Sequence, residues 1–415
     1  MRRVVVTGMG ALTPIGNNVQ DYWNSLVEGV SGANMITHFD TSKFKTKFAC
    51  ELKGYDPANH FDRKEARKMD TYAQYAHVAS DEAIKDSGLN LETVDKDRVG
   101  VIWASGIGGI ETFMEEVKGF VTGDGTPRYN PFFIPKMISD MAAGLISIKY
   151  GFRGPNFCTV SACASSTNAI VDAFHYIRLG KADVFVTGGS EAAINPPGVG
   201  GFNSLQALST NNEEFKTASR PFDLTRDGFV MGEGGGALIL EEYEHAKARG
   251  AKIYAEVVGT GLSADAYHMT APHPEGLGAM NVMKYAIEEA GLKLSEIDYI
   301  NVHGTSTPLG DIAETKAILS LFGEDAYKLN ISSTKSMTGH LLGATGAIEA
   351  IACIMAVQED IVPPTINFKT PDPGVDQKLN ITPNKAQKRI VRAALSNTFG
   401  FGGHNASLIV KKYVQ

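Results

Sequence analysis

The sequence is poor in cysteine. It has four in 415 residues (Cys50, Cys158, Cys163 and Cys353), scattered along the chain with no CxxC pair and no Cys/His cluster at zinc-ligand spacing. A disulfide framework and a structural zinc centre are therefore excluded, and any cysteine that matters acts as a free thiol. The chain also lacks a basic, apolar leader and an unbroken apolar run of about 20 residues, the length needed to cross a bilayer. The expectation is a cytoplasmic protein with no membrane span. Positive charge is in deficit as well: 39 Lys and Arg stand against 46 Asp and Glu, for a net charge of −7. That balance argues against general nucleic-acid binding, which needs a basic footprint.

What the chain does have is apolar residues and glycine, 43% hydrophobic with 44 glycines, enough for a large core and two domain-sized halves. Short β-branched runs alternate with longer segments of helical period. "RRVVVTGMG" (2 to 10), "RVGVIWASGIGG" (98 to 109), "ADVFVTGGS" (182 to 190), "YAEVVGTG" (254 to 261), "IDYINVHGTS" (297 to 306) and "RAALSNTFGFGG" (392 to 403) read as strands. Continuous apolar strands are buried on both faces, so helices such as 71 to 88 and 278 to 292 must cover both sides of mostly parallel or mixed sheets. The class is α/β. "VVVTGMGAL" and "AEVVGTGLS" each open a part of the chain, and each part later reaches a small-residue helix start, "SACASSTNAI" and "TGHLLGATGAIEAI". The repetition predicts an internal duplication with its joint near residues 250 to 253, hence halves of 1–252 and 253–415.

Two glycine clusters look like nucleotide motifs and are not. "GMGALT" (8 to 13) has Thr13 where a dinucleotide fingerprint needs a third small residue, and reads as a turn. "GEGGGA" (232 to 237) lacks the Lys-Ser/Thr of a phosphate loop and reads as a tight turn with close backbone packing. The stretches 121 to 133 and 209 to 223, charged and carrying Gly or Pro, read as loops.

The chemistry points to "NFCTVSACASSTNAI" (156 to 170). Small residues around Cys163 let a substrate approach, and a helix start offers unpaired N–H groups and a dipole that stabilise a thiolate. Cys50, Cys158 and Cys353 read as structural. "NVHGTSTPLGD" (301 to 311) and "SSTKSMTGHLLGATGAIEA" (332 to 350) set His303 and His340 beside glycine at a strand end or helix start.

Together with "SNTFGFGGHNASL", these blocks resemble the active-site segments of the elongating β-ketoacyl-[acyl carrier protein] synthases, most closely the type II enzymes of bacterial fatty-acid synthesis. The resemblance runs in order over essentially the whole chain. It implies a thiolase-like fold, five layers of α-β-α-β-α built from two duplicated halves, working as a homodimer. It also implies a decarboxylative condensation of acyl with malonyl groups, each delivered on acyl carrier protein. By resemblance Cys163 is the nucleophile that takes the acyl chain, His303 and His340 handle the malonyl group, and Lys335 and Glu349 are the charged support behind them. Phe401 and Gly402 belong to the gate and oxyanion loop. Thr305 and Thr307 are pantetheine contacts, and Thr270 is a further substrate-binding residue. Ile107, Phe202, Phe133 and Ile134 line the acyl tunnel, the last two across the dimer.

Two imidazole N–H groups suit such a reaction, because decarboxylation leaves charge on an enolate oxygen. A desolvated Lys335 would need Glu349 as counter-charge. Arg63, Lys64, Arg67 and Lys68, in "DRKEARKMD" (62 to 70), form like-charged i,i+4 pairs on an expected helix and supply the basic patch an acidic carrier would dock on. No cofactor or metal is expected. Two alternatives stay open: a polyketide-type ketosynthase, and a non-catalytic chain-length partner subunit, whose relatives typically lack the nucleophile.

Overall fold

The computed structural model describes residues 1–414. The first half runs β1 (Val4–Leu12), α1 (Thr71–Asp86), β2 (Val99–Ala104), α2 (Met141–Tyr150), β3 (Asn156–Thr159), α3 (Ser165–Arg178), β4 (Val184–Glu191) and β5 (Gly234–Glu242). The second repeats the order: β6 (Ala255–Ala264), α4 (Leu277–Ala290), β7 (Tyr299–Asn301), α5 (Pro308–Phe322), β8 (Asn330–Ser332), α6 (Thr345–Glu359), β9 (Ala393–Gly400) and β10 (His404–Lys412).

All ten strands form one sheet, in the order β8-β7-β9-β10-β6-β1-β5-β4-β2-β3. From either edge inward the strands come third, second, fourth, fifth and first in each half. The three outer strands are parallel and the two inner ones antiparallel to their neighbours. The halves meet where Val4, Val5 and Val6 of β1 pair with Val257, Glu256 and Ala255 of β6.

The helices make the remaining three layers. α1 and α2 cover the outer face of the first half, α4 and α5 that of the second, and α3 and α6 lie between the halves. α6 is apolar nearly all round, the signature of a helix with no face for water. Leu342–Glu359, which contains it, is the one stretch among the described residues long and apolar enough to span a membrane, yet 89% of it is buried inside the fold. Each fully buried isoleucine there, Ile348, Ile351 and Ile354, contributes roughly 1.5–3 kcal/mol relative to exposure.

The glycines expected to make turns lie inside strands instead. Gly8 and Gly10 sit within β1, where a Cβ would stand 2.3 Å from the Ala83 carbonyl and 1.9 Å from that of Ala79 on α1. Gly259 and Gly261 of β6 do the same at 2.2 Å from Ala286 and 2.1 Å from Val282 on α4. In both halves the missing side chains let an outer helix lie directly on the first strand. Likewise "GEGGGA" enters β5, so close packing is observed there but the tight turn is not. The basic helix expected over 62 to 70 is a single turn, Arg63–Ala66, capped by the Asp62 carboxylate. Arg67 and Lys68 lie beyond it, and the i,i+4 helical argument does not apply to them.

Candidate active site

Strand β3 ends at Thr159, and the chain then turns sharply through Ala162–Ala164 into α3. Ala162 has φ 51°, the left-handed region that a β-carbon residue enters only at a tight corner. Small hydroxyls pin the corner. Ser161 N–H donates to Ser165 Oγ (2.9 Å), and Ser165 Oγ donates to the Ala162 carbonyl (2.6 Å). Cys163 stands at the apex. The duplication builds a second elbow at Leu342–Ala344, with Leu342 at φ 49°, leading into α6, and its apex residue is Gly343.

His303 follows the end of β7. Its backbone N–H and that of Gly304 each donate to the Glu314 carboxylate on α5, both at 2.8 Å. His340 is held by its backbone, which donates to the Val230 carbonyl (2.7 Å) and accepts from Gly232 N–H (2.8 Å). Its ring Nδ1 lies 2.9 Å from the Thr345 hydroxyl, while Nδ1 of His303 is buried without a partner among the described residues. The two imidazoles meet edge to face with centroids 5.3 Å apart.

Lys335 begins the short helix Lys335–Thr338, and its Nζ donates to Glu349 Oε1 at 2.5 Å, with both side chains 1% exposed. This ammonium governs the local electrostatics. Burial first, and Lys335 second, push both imidazoles well below the ordinary histidine range, so both rings are neutral. Burial raises the Glu349 carboxyl and Lys335 pulls it back. Burial also pushes the Cys163 thiol up to about 12, against the pull of Lys335 and of the backbone N–H groups of Phe401 and Cys163 itself. The expectation that a helix start would hold this thiol as thiolate is therefore not met. Desolvation outweighs the donors, and the resting side chain is the thiol.

Cys163, His303 and His340 line one pocket of about 330 Å³ together with Phe401, Phe202, Thr270, Thr305 and Thr307, while Lys335 and Glu349 lie buried behind its wall. Phe401 occupies the turn between β9 and β10, 6.3 Å from the ring of Phe202. Thr305 and Thr307 share a hydrogen bond of 3.0 Å. In the single chain Ile107, Phe133 and Ile134 lie outside this pocket. Ile107 and Ile134 are on exposed surface, and Phe133 stacks with Tyr129. Arg63, Lys64, Arg67 and Lys68 are all exposed, and among the described residues none of them forms an ion pair.

Several residues at the site escaped the sequence reading. Glu314, raised by burial to about 7, lines the pocket and fixes the His303 backbone. Phe229 packs edge-on against the His340 ring at 5.4 Å. Asp265 accepts from Asn405 Nδ2 (2.7 Å) and from His273 N–H (3.1 Å), while its own N–H donates to Gly403 (2.9 Å), tying loop 265–276 to the Phe401 turn. Only Glu314 carried a signal, a carboxylate in the helix that follows the histidine motif.

Two family models match the chain: "Beta-ketoacyl synthase, N-terminal domain" over residues 1–246 and "Beta-ketoacyl synthase, C-terminal domain" over 254–369. A 3-oxoacyl-[acyl-carrier-protein] synthase 2 of a Synechocystis species is 52% identical over 412 residues, 99% of this chain and 98% of that relative. The corresponding Staphylococcus aureus protein is 51% identical over 99% of both chains. Among solved structures, a β-ketoacyl synthase from Burkholderia phymatum superposes with TM-score 0.93 at 36% identity, covering 100% of both chains. A type II polyketide ketosynthase in complex with its acyl-carrier protein superposes with TM-score 0.90 at 35% identity, again over 100% of both.

Proposed function

The chain belongs to the β-ketoacyl synthase family, and from that premise we propose the course of its reaction. It condenses an acyl group with a malonyl group, both carried on acyl carrier protein, to give 3-oxoacyl-[acyl carrier protein], CO2 and free carrier in fatty-acid elongation. The observation that carries the residue assignment is the meeting of a thiol at a helix-start elbow with two neutral imidazoles in one pocket.

Cys163 Sγ attacks the acyl thioester, its proton leaves with the carrier thiol, and the acyl chain becomes a cysteine thioester. Backbone N–H groups of Cys163 and Phe401 receive the oxyanion of that step, and the same donors serve the later one. Malonyl thioester then loses CO2, and its enolate oxygen accepts from the imidazole N–H groups of His303 and His340. Neutral rings suit this role, because a donor that keeps its proton stabilises the enolate without quenching it. The Thr345 hydroxyl, 2.9 Å from Nδ1, is able to donate to it, and in that tautomer His340 carries its proton on Nε2, facing the substrate. The enolate carbon attacks the cysteine thioester, the new carbon–carbon bond forms, and Cys163 leaves as thiolate and regains a proton.

Residues 1–252 and 253–415 are the two halves of the unit. The chain works as a cytoplasmic homodimer. β3 is an edge strand with open backbone groups, and Ile107, Phe113, Phe132, Ile134, Ile138 and Val160 stand exposed. A partner covering that face would bring Phe133 and Ile134 to the acyl tunnel. Arg63, Lys64, Arg67 and Lys68 dock the carrier.

Intact-mass analysis and peptide mapping after exposure to acyl-[acyl carrier protein] test the assignment. One adduct is expected, on Cys163, and an adduct that persists elsewhere in Cys163→Ala overturns it. Product analysis separates the polyketide reading: repeated condensation on one chain without intervening reduction would favour it. Cys163 argues against a non-catalytic partner subunit.

A further inference from the structure

The second elbow has no nucleophile, yet a buried acid closes upon it. Glu191, the last residue of β4, is fully buried, forms no ion pair among the described residues, and its carboxylate collects four donors. Gly343 N–H (2.9 Å) and Gly106 N–H (2.8 Å) donate to Oε2, while Ser105 Oγ (2.9 Å) and Ile107 N–H (3.1 Å) donate to Oε1. Gly343 is the counterpart of Cys163 in the duplicated half, so its N–H is the counterpart of the donor beside the nucleophile. In one half that backbone group faces the reaction. In the other it is filled by a carboxylate of the chain itself.

The remaining donors belong to the Ser105–Ile107 turn, which is wedged between the elbows. A Cβ on Gly106 would lie 2.8 Å from Glu191 Oε2, 3.4 Å from Gly343 N and 3.5 Å from the Ala162 carbonyl, the residue before Cys163. A Cβ on Gly343 would come 2.2 Å from Gly106 N and 2.7 Å from Glu191 Oε2. No side chain fits at either glycine while the carboxylate is in place. The turn therefore has one seat, against the back of the nucleophile's elbow, and Glu191 fixes it there. The imidazoles are held by other groups: His303 through Glu314, His340 through Val230, Gly232 and Thr345.

We propose that Glu191 is a positioning residue for the acyl half-reaction, seating the Ser105–Ile107 turn against the back of the Cys163 elbow so that the thiol is held in place for acyl transfer. The proposal rests on the condensing-enzyme reading of Cys163. Glu191 touches no reacting atom. It acts through the turn, so its loss bears on acyl transfer and not on malonyl chemistry.

The test uses the full-length protein with purified carrier substrates. Glu191→Gln replaces one acceptor oxygen by an NH2 that opposes the converging N–H donors. Ser105→Ala removes one donor and leaves the carboxylate. Single-turnover acylation of Cys163 is measured beside CO2 release from malonyl-[acyl carrier protein]. In Glu191→Gln, acylation should fall about tenfold or more, with decarboxylation within about threefold of wild type. Ser105→Ala should lower acylation by less, and the two changes together should be non-additive. Equal losses in both assays, or unchanged acylation, would overturn the proposal. Should Glu191→Gln fail to fold, the Ser105→Ala comparison decides alone. If wild-type enzyme is not acylated on Cys163, it is the reading of the reaction that fails, and the seating of the turn is not what was at fault.

Discussion

The rings of His303 and His340 stand at 87° with their centroids 5.3 Å apart, one arriving from the end of β7 and the other from the loop before the second elbow. Because each is anchored by different backbone partners, their separation is set by the fold and not by contact between them. Two donors anchored independently by the backbone can close on one oxygen.

From this we expect His303→Ala and His340→Ala each to lower CO2 release from malonyl-[acyl carrier protein] by roughly 100-fold to 1000-fold, the usual cost of one oxyanion donor. Single-turnover acylation of Cys163 should be largely spared. The double variant should lose less than the product of the two. If both single variants decarboxylate normally and fail in acylation, the imidazoles act as bases for the thiol instead.

Lys335 is the one cation whose charge reaches Cys163, both histidines, Glu314 and Glu349. Lys335→Met leaves Glu349 buried without its partner, and denaturant unfolding should show a loss of about 3–5 kcal/mol. Adding Glu349→Gln should restore a substantial part. The same variant frees the imidazoles from the ammonium, so their pKa values should rise and the pH profile of decarboxylation should gain an acidic limb. Strict additivity of the two substitutions in stability, with an unmoved pH profile, would remove Lys335 from this role.

Lys64→Glu with Lys68→Glu reverses the exposed basic turn. Carrier-dependent turnover should weaken and lose its salt sensitivity, while thermal stability and the reaction of small carrier-free thioesters stay near wild type. Unchanged carrier kinetics would return these side chains to the ordinary solvated surface.

A separate pH dependence arises at His38. Its Nε2 lies 2.9 Å from Glu233 Oε1 and its Nδ1 3.7 Å from Glu51 Oε1, with Glu111 also facing it, and the hydrogen bond to Glu233 raises it from 6.5 to about 9. A folded-state pKa above the unfolded one stabilises most below the unfolded value. The contribution is therefore complete below pH about 6.5 and disappears as pH rises through about 9. Melting temperatures of wild type and His38→Gln should differ at pH 6 and converge above pH 9. A gap that is constant across that range would contradict the ion pair.

Much of the fold was legible because apolar runs of β-branched residues report burial on both faces, and the two openings "VVVTGMG" and "AEVVGTG" announced the repeat. The glycines of "GMGALT", which read as a turn, lie in the strand instead. Gly8 and Gly10 are required by the Ala79 and Ala83 carbonyls of α1, which no local pattern reveals. Cys163, His303 and His340 were legible as motifs, but the state of the thiol was not. The helix start is a local feature, whereas the burial that raises the thiol is made by the whole fold. Glu191 was missed for the same reason, since it matters through a backbone donor 152 residues away, whereas Glu314 follows the histidine motif closely and its signal was there to be read.

The strand order has a bearing on how the chain reaches this state. β1 pairs with β5 and β6, which are made after it, and a contact such as Thr7 with Glu241 spans 234 residues of sequence. Until that partner has been synthesised, the strand of Val4–Leu12 has an apolar surface and no neighbour to receive it. Non-local pairing of this kind slows folding, because chain entropy must be lost before any contact compensates for it. The nascent strand Val4–Leu12 thus has most need of shelter until its partners follow, and refolding from denaturant should be slow and aggregation-prone even though the finished protein is well packed.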